Sequence, residues 1–157
     1  MSEQTVQRPY KIPRSTLVVV YTVRQEVLLI ERADHPGYWQ SVTGSQDAGE
    51  SLLQTARREV CEETGLAADP RGLVDWHKQN QYEIYQNWRG RYAPGVTHNT
   101  EHVFSLQVSA RLPVTLATRE HLQYIWLPWR DAANKAFSWS NADAIRDLPR
   151  RMRDAGQ

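Results

Sequence analysis

The chain has 157 residues, 40% of them hydrophobic, and a formal net charge of +1, which fits one domain with a real core. So even a balance excludes a global field that would hold nucleic acid or an anionic membrane, and any basic patch must be local. The longest apolar run, residues 17–21, is far below the roughly 20 residues that span a bilayer.

Residues 1–14 are polar and lack the apolar stretch of a secretory leader. The single cysteine, Cys61, cannot form an intrachain disulfide, so a reducing, cytoplasmic setting is expected. Residues 16–23 and 26–31 are rich in β-branched residues and are predicted as two buried strands joined by a short turn. His35, Pro36 and Gly37 break that pattern, and residues 39–42 predict a short strand ending at Gly44. Asp47, Gly49 and Glu50 read as a turn into a helix over residues 51–64, which Gly65 terminates.

Further along, strands are predicted over residues 73–78, 81–85, 102–108 and 123–127, with a loop at residues 91–95. Helices are predicted over 129–136 and 141–150, and the termini, 1–10 and 151–157, are expected to fray. No repeat, low-complexity tract or linker interrupts the chain. Mixed strands with one central helix and two terminal helices predict a single α/β or α+β sandwich over residues 1–157.

The chemistry is concentrated in residues 44–66. Gly44 is followed at fixed spacing by Glu50, then by Arg58-Glu59, by Glu62-Glu63 and by Gly65-Leu66. On a helix turning 100° per residue, Glu59, Glu62 and Glu63 share an arc of roughly 100°. Leu52, Ala56 and Val60 form an adjoining apolar stripe that would dock on a sheet. Three carboxylates so close repel one another unless a cation sits among them, and oxygen ligands favour Mg²⁺ or Mn²⁺ over Zn²⁺. A solvated acidic face alone would not place Gly44, Glu50, Arg58 and Gly65 at those offsets.

The stretch matches the pattern G-x5-E-x7-R-E-U-x-E-E-x-G-U, where U is aliphatic, at every specified position. Ordinary residue usage would produce this on the order of once in ten million chains of this length. By it the chain resembles the Nudix hydrolases. The resemblance implies an α/β/α sandwich with a mixed central sheet, and hydrolysis of a nucleoside diphosphate linked to another group. It also implies roles. Glu59 and Glu63 are the expected metal ligands, Glu62 a further ligand or water-positioning base, and Arg58 the group that orients them. Glu50 supports the loop–helix junction or the outer metal shell, Gly44 permits the tight loop, and Gly65 ends the helix.

Outside the box, the blocks 91–97, 99–101, 120–122 and 138–141 resemble the branch of that family that acts on a pterin triphosphate in folate biosynthesis. The expected reaction is release of pyrophosphate from 7,8-dihydroneopterin triphosphate, and the alternative is a general (deoxy)nucleoside triphosphate pyrophosphohydrolase. This likeness implies Glu120 as a further metal ligand or general base. Lys11 and Arg32 would meet phosphate oxygens. Thr43, Tyr82, Glu83, Ile84, Tyr85 and Ser138 would meet substrate, with a tyrosine stacking on the ring and Glu83 accepting from its amino-pyrimidine edge. A small-molecule triphosphate is the expected partner, with no nucleic acid or membrane, and the oligomeric state is left open.

Overall fold

The computed structural model describes residues 9–69 and 71–155. Among them seven strands form one mixed sheet: β1 (Arg14–Thr22), β2 (Glu26–Arg32), β3 (Trp39–Gln40), β4 (Val42–Ser45), β5 (Leu73–Glu83), β6 (His98–Val108) and β7 (His121–Pro128). The helices are α1 (Leu52–Thr64), α2 (Trp129–Lys135) and α3 (Trp139–Ala155). β1 runs parallel to β6, and the other pairings are antiparallel.

Alternation along the strands divides the core into two layers. Leu17, Val19 and Tyr21 of β1 pack with Val103 and with Ala132, Ala144, Ile145 and Leu148 of α2 and α3. Val18 and Val20 face the other way, against Phe104, Leu106 and the Ala56–Val60 stripe of α1. The result is the expected α/β/α sandwich. No helix among the described residues is long and apolar enough to cross a membrane.

One edge of β1 is shared. Its first half pairs with β4, from Ser15↔Ser45 to Val18↔Val42, while Tyr21 pairs with Val27 of β2. β2 in turn holds β3 and β7. Thr43 and Gly44 therefore lie where the sheet forks, and the functional cavity opens there.

Several boundaries differ from the sequence reading. Residues 73–83 form one strand with an irregularity between Asp75 and Gln79, where two strands were predicted. His77 takes φ +53 there, and its N–H donates to Asp75 Oδ1 at 2.8 Å, a local break that keeps the strand continuous. A 3₁₀ turn, Gln86–Arg91, was not predicted.

Residues 151–155, part of the stretch expected to fray, continue α3, which ends at Ala155. Arg151 Nε donates to Asp147 Oδ2 at 2.8 Å, and its guanidinium lies 4.3 Å from the Trp76 ring centre. Those contacts tie the last turns to the sheet. Residues 1–8 and 156–157 lie outside the described residues, and Pro9 and Tyr10 are exposed without regular structure.

Candidate active site

The loop from Ser45 to Ser51 and the first half of α1 are built around one ion pair. Arg58 Nε donates to Glu50 Oε2 at 2.7 Å, and Arg58 Nη2 donates to Glu50 Oε1 at 2.9 Å. Glu50 also accepts from Thr55 Oγ1 and from the Asp47 N–H. A bidentate Arg–carboxylate fork is geometrically specific, and hydrogen bonding from Arg58 holds the Glu50 carboxyl down at about 2. Arg58 has further donors for Glu59 Oε1 (2.7 Å), Glu62 Oε2 (3.3 Å) and the Ser45 carbonyl (3.0 Å). It thus ties the loop, Glu50 and two box glutamates together.

The three box glutamates differ in placement. Measured from Ala56 at 100° per residue, Glu63 lies about 20° away, Glu59 about 60° and Glu62 about 120°. Ala56 is fully buried, so Glu63 and Glu59 turn inward while the Glu62 side chain is 57% exposed. Glu59 and Glu63 line a cavity of about 590 Å³, together with Glu120; Glu62 does not. Burial pushes the Glu59 carboxyl up to about 7, and it pushes Glu63 well above the carboxylate range, with Glu59 and Glu120 adding repulsion.

Gly44 is required by space. A Cβ there would sit 2.1 Å from Glu59 Cδ and 2.5 Å from its Cγ, so the missing side chain is what lets Glu59 lie flat against β4. The sequence reading assigned Gly44 to a tight loop, but its φ is not positive; within the box the positive values fall at Gly49 in the loop, at φ +78, and at Gly65, at φ +70, whose N–H donates to the Cys61 carbonyl.

Glu63, Glu120 and His121 each offer a ligand atom, and these atoms lie within 4.8 Å of one another. A buried Glu63 whose anion is disfavoured by burial, beside a second carboxylate and an imidazole nitrogen, fits a divalent cation. His121 was missed from the sequence. Burial lowers its pKa to about 4, so it is neutral, and its buried Nδ1 has no partner among the described residues. Its position beside Glu120 was the only signal.

A second cavity of about 760 Å³ adjoins the first. Lys11, Arg32, Thr43, Gly44, Ser45 and Arg91 line both, so the two are chambers of one groove. Three cations stand at the junction. Burial, then Arg91 and Arg32, lower the Lys11 pKa. Arg32 is braced by Asp34, with Nε to Oδ1 at 2.7 Å, and stacks 4.6 Å from the Trp88 ring centre. Arg91 and Trp88 were not singled out from the sequence, although both fall in a short run (residues 88–92) in which two arginines around a glycine are flanked by aromatic residues.

Tyr82, Glu83, Ile84, Tyr85 and Ser138 all line the larger chamber. Tyr82 OH accepts from Asn99 Nδ2 at 3.0 Å. Tyr85 is half exposed and meets Trp88 edge-on at 5.1 Å. Ile84 is buried, its N–H donating to the Thr97 carbonyl at 2.8 Å. Glu83 lines the chamber too, with its side chain 67% exposed and engaged by Arg89. Ser138 Oγ accepts from the Asn141 N–H at 3.2 Å, so it caps α3 while facing the chamber. Thr43 offers its N–H to Glu63 Oε2 at 3.4 Å.

The NUDIX domain model matches residues 11–148, nearly the whole chain. The chain belongs to the Nudix family. This Nudix chain is 44% identical to dihydroneopterin triphosphate diphosphatase of Escherichia coli K12 over 142 residues, 88% of this chain and 93% of that one. It is 37% identical to the Haemophilus influenzae protein of the same name over 140 residues, 87% of each. The solved structure of the E. coli dihydroneopterin triphosphate pyrophosphohydrolase superposes with a TM-score of 0.83 at 42% identity, covering 89% of this chain and 97% of that one.

Proposed function

We propose that this protein hydrolyses 7,8-dihydroneopterin triphosphate to the monophosphate and pyrophosphate, with Mg²⁺ as the resident cation and Mn²⁺ as a substitute. The observation that carries this reading is the division of one groove into an acidic chamber and a chamber lined by aromatic side chains, with Lys11, Arg32 and Arg91 at their junction. A triphosphate on a fused ring has that order of parts: a ring, then a polyanion that needs both cationic side chains and a divalent ion. The names of the relatives agree with it.

In this reading Glu59, Glu63 and Glu120 hold the cation, and Arg58 positions Glu59. Glu62 would join them only by turning away from Arg58. When bound, the cation neutralises diphosphate charge and polarises the phosphorus under attack. Lys11, Arg32 and Arg91 orient the phosphate chain, and the Thr43 side chain donates to it. Water attacks the α-phosphorus, its proton passes to Glu120, and the α–β anhydride bond breaks with pyrophosphate as leaving group. Tyr82, Ile84, Tyr85 and Ser138 surround the ring. A cytoplasmic location suits a small-molecule triphosphate.

The test is a panel with Mg²⁺ of dihydroneopterin triphosphate, dATP, 8-oxo-dGTP and ADP-ribose, ranked by kcat/KM. The pterin should lead, and a lead of about tenfold for ADP-ribose or 8-oxo-dGTP would sink the assignment. Glu63→Gln should lower kcat by about a hundredfold or more with an unchanged circular dichroism spectrum. Near-normal turnover would remove Glu63 from the ligand set.

A further inference from the structure

The larger chamber holds a carboxylate that no step of the proposed reaction uses. Glu101 lies on β6 opposite Ser15 of β1, and is 4% exposed. No Lys or Arg is among the groups that set its charge state; burial dominates and pushes the carboxyl up to about 7. Hydrogen bonding from Ser140 and Asn80 offsets part of that rise, yet Glu101 Oε1 and the neighbouring Asn80 Nδ2 are both buried with no hydrogen-bond partner within normal geometry among the described residues. Two residues earlier on the same face, Asn99 spends its amide N–H groups on Ser15 Oγ (2.8 Å) and Tyr82 OH (3.0 Å). Its Oδ1 is likewise without a partner. Both side chains line the chamber.

Two buried, unpartnered acceptors facing one slot are costly unless a ligand brings donors to them. The phosphate groups cannot, since they are acceptors themselves and meet the cations at the other end. The ring can. A 2-amino-4-oxo-pyrimidine edge presents an exocyclic NH₂ beside a ring N–H, two adjacent donors that suit one carboxylate. Glu83, the other acid of this chamber, is exposed and engaged by Arg89.

We infer that Glu101, assisted by Asn99, is the acceptor that reads the exocyclic amino group of the bound ring, and so selects amino-substituted bicyclic heteroaromatics. For the pterin this rests on the proposed function; the amino-group preference itself does not.

The test needs no variant at first. dGTP and dITP differ only by the 2-amino group, and wild-type kcat/KM with Mg²⁺ should favour dGTP by at least about tenfold, because a buried acceptor is left unpaired otherwise. Equal values would overturn the inference. In Glu101→Met, which keeps the volume and removes the acceptor, the two values should converge to within about threefold, mainly by loss on dGTP. Metal-free protein titrated with neopterin, which carries no phosphate, should bind at least about tenfold more weakly in that variant. An equal loss on dGTP and dITP would mean that Glu101 only props the sheet, and would also overturn the inference. If the wild type turns over dGTP but not dihydroneopterin triphosphate, the proposed function fails while the amino-group comparison still stands.

Discussion

Gly44 and Glu59 make one unit, because the space a Cβ would take at position 44 is filled by the Glu59 carboxyl group. Gly44→Ala should therefore displace Glu59 from Arg58 and from the acidic chamber with little effect on the strand itself. We expect kcat/KM to fall about tenfold or more, since small misplacements of a positioned group are costly in rate, while Tm changes by only a few degrees. Activity near that of wild type would show that Glu59 can move without loss. The contrast among the three box glutamates is also a matter of single residues. Their shared arc was visible from spacing, but Glu62 turned out exposed because the apolar stripe of α1 draws positions 59 and 63 toward the sheet.

At the scale of the element, α1 is specified at both ends. Ser51 Oγ accepts from the Gln54 N–H at 3.1 Å while Gln54 Oε1 accepts from the Ser51 N–H at 2.8 Å, a reciprocal cap. Gly65 closes the other end in the left-handed region. The preceding loop has no regular structure and depends on Glu50. The folded Glu50 carboxyl is held at about 2 against an ordinary 4.5, so the folded state binds the proton less tightly than the unfolded one. Its contribution is complete above pH about 4.5 and is lost as pH falls toward about 2. Glu50→Gln should thus lower Tm most at neutral pH, with a loss of roughly 1–3 kcal/mol, and the gap to wild type should close on acidification over that window. A gap independent of pH would mean that the Arg58 fork adds nothing beyond packing.

For the whole molecule, the groove depends on how α3 is held against the fork in the sheet. Asn141 Oδ1 accepts from the Ser41 N–H at 2.7 Å, and its Nδ2 donates to Ser41 Oγ at 2.9 Å, all buried. This pair joins the start of α3 to the junction of β3 and β4, and so sets the width of the chamber that Ser138 and Trp139 line. Asn141→Ala should cost roughly 1–3 kcal/mol in stability by leaving a buried N–H unpaired. It should also raise KM for the triphosphate more than it lowers kcat, because the ring chamber loosens while the acidic chamber is untouched. An effect on kcat alone would argue against that coupling.

Strands β1 and β2, the box helix with its C-terminal glycine and its run of glutamates were legible in the sequence, because period, capping chemistry and motif spacing are local properties. The Nudix box likewise named Arg58 and Glu50 without help from the fold. What the chain alone did not determine was which side chains meet across it. Glu63 and His121 are 58 positions apart, Ser15 and Glu101 are paired across a parallel crossover, and Lys11 reaches Arg91 through a backbone hydrogen bond between segments 80 positions apart. Those meetings depend on strand order and on the face each residue takes, which the packing of two helical layers decides. The same packing left Glu83 exposed at the chamber and buried Glu101 within it. The box therefore specified the residues of the acidic end, and the tertiary structure decided which acceptors line the larger chamber.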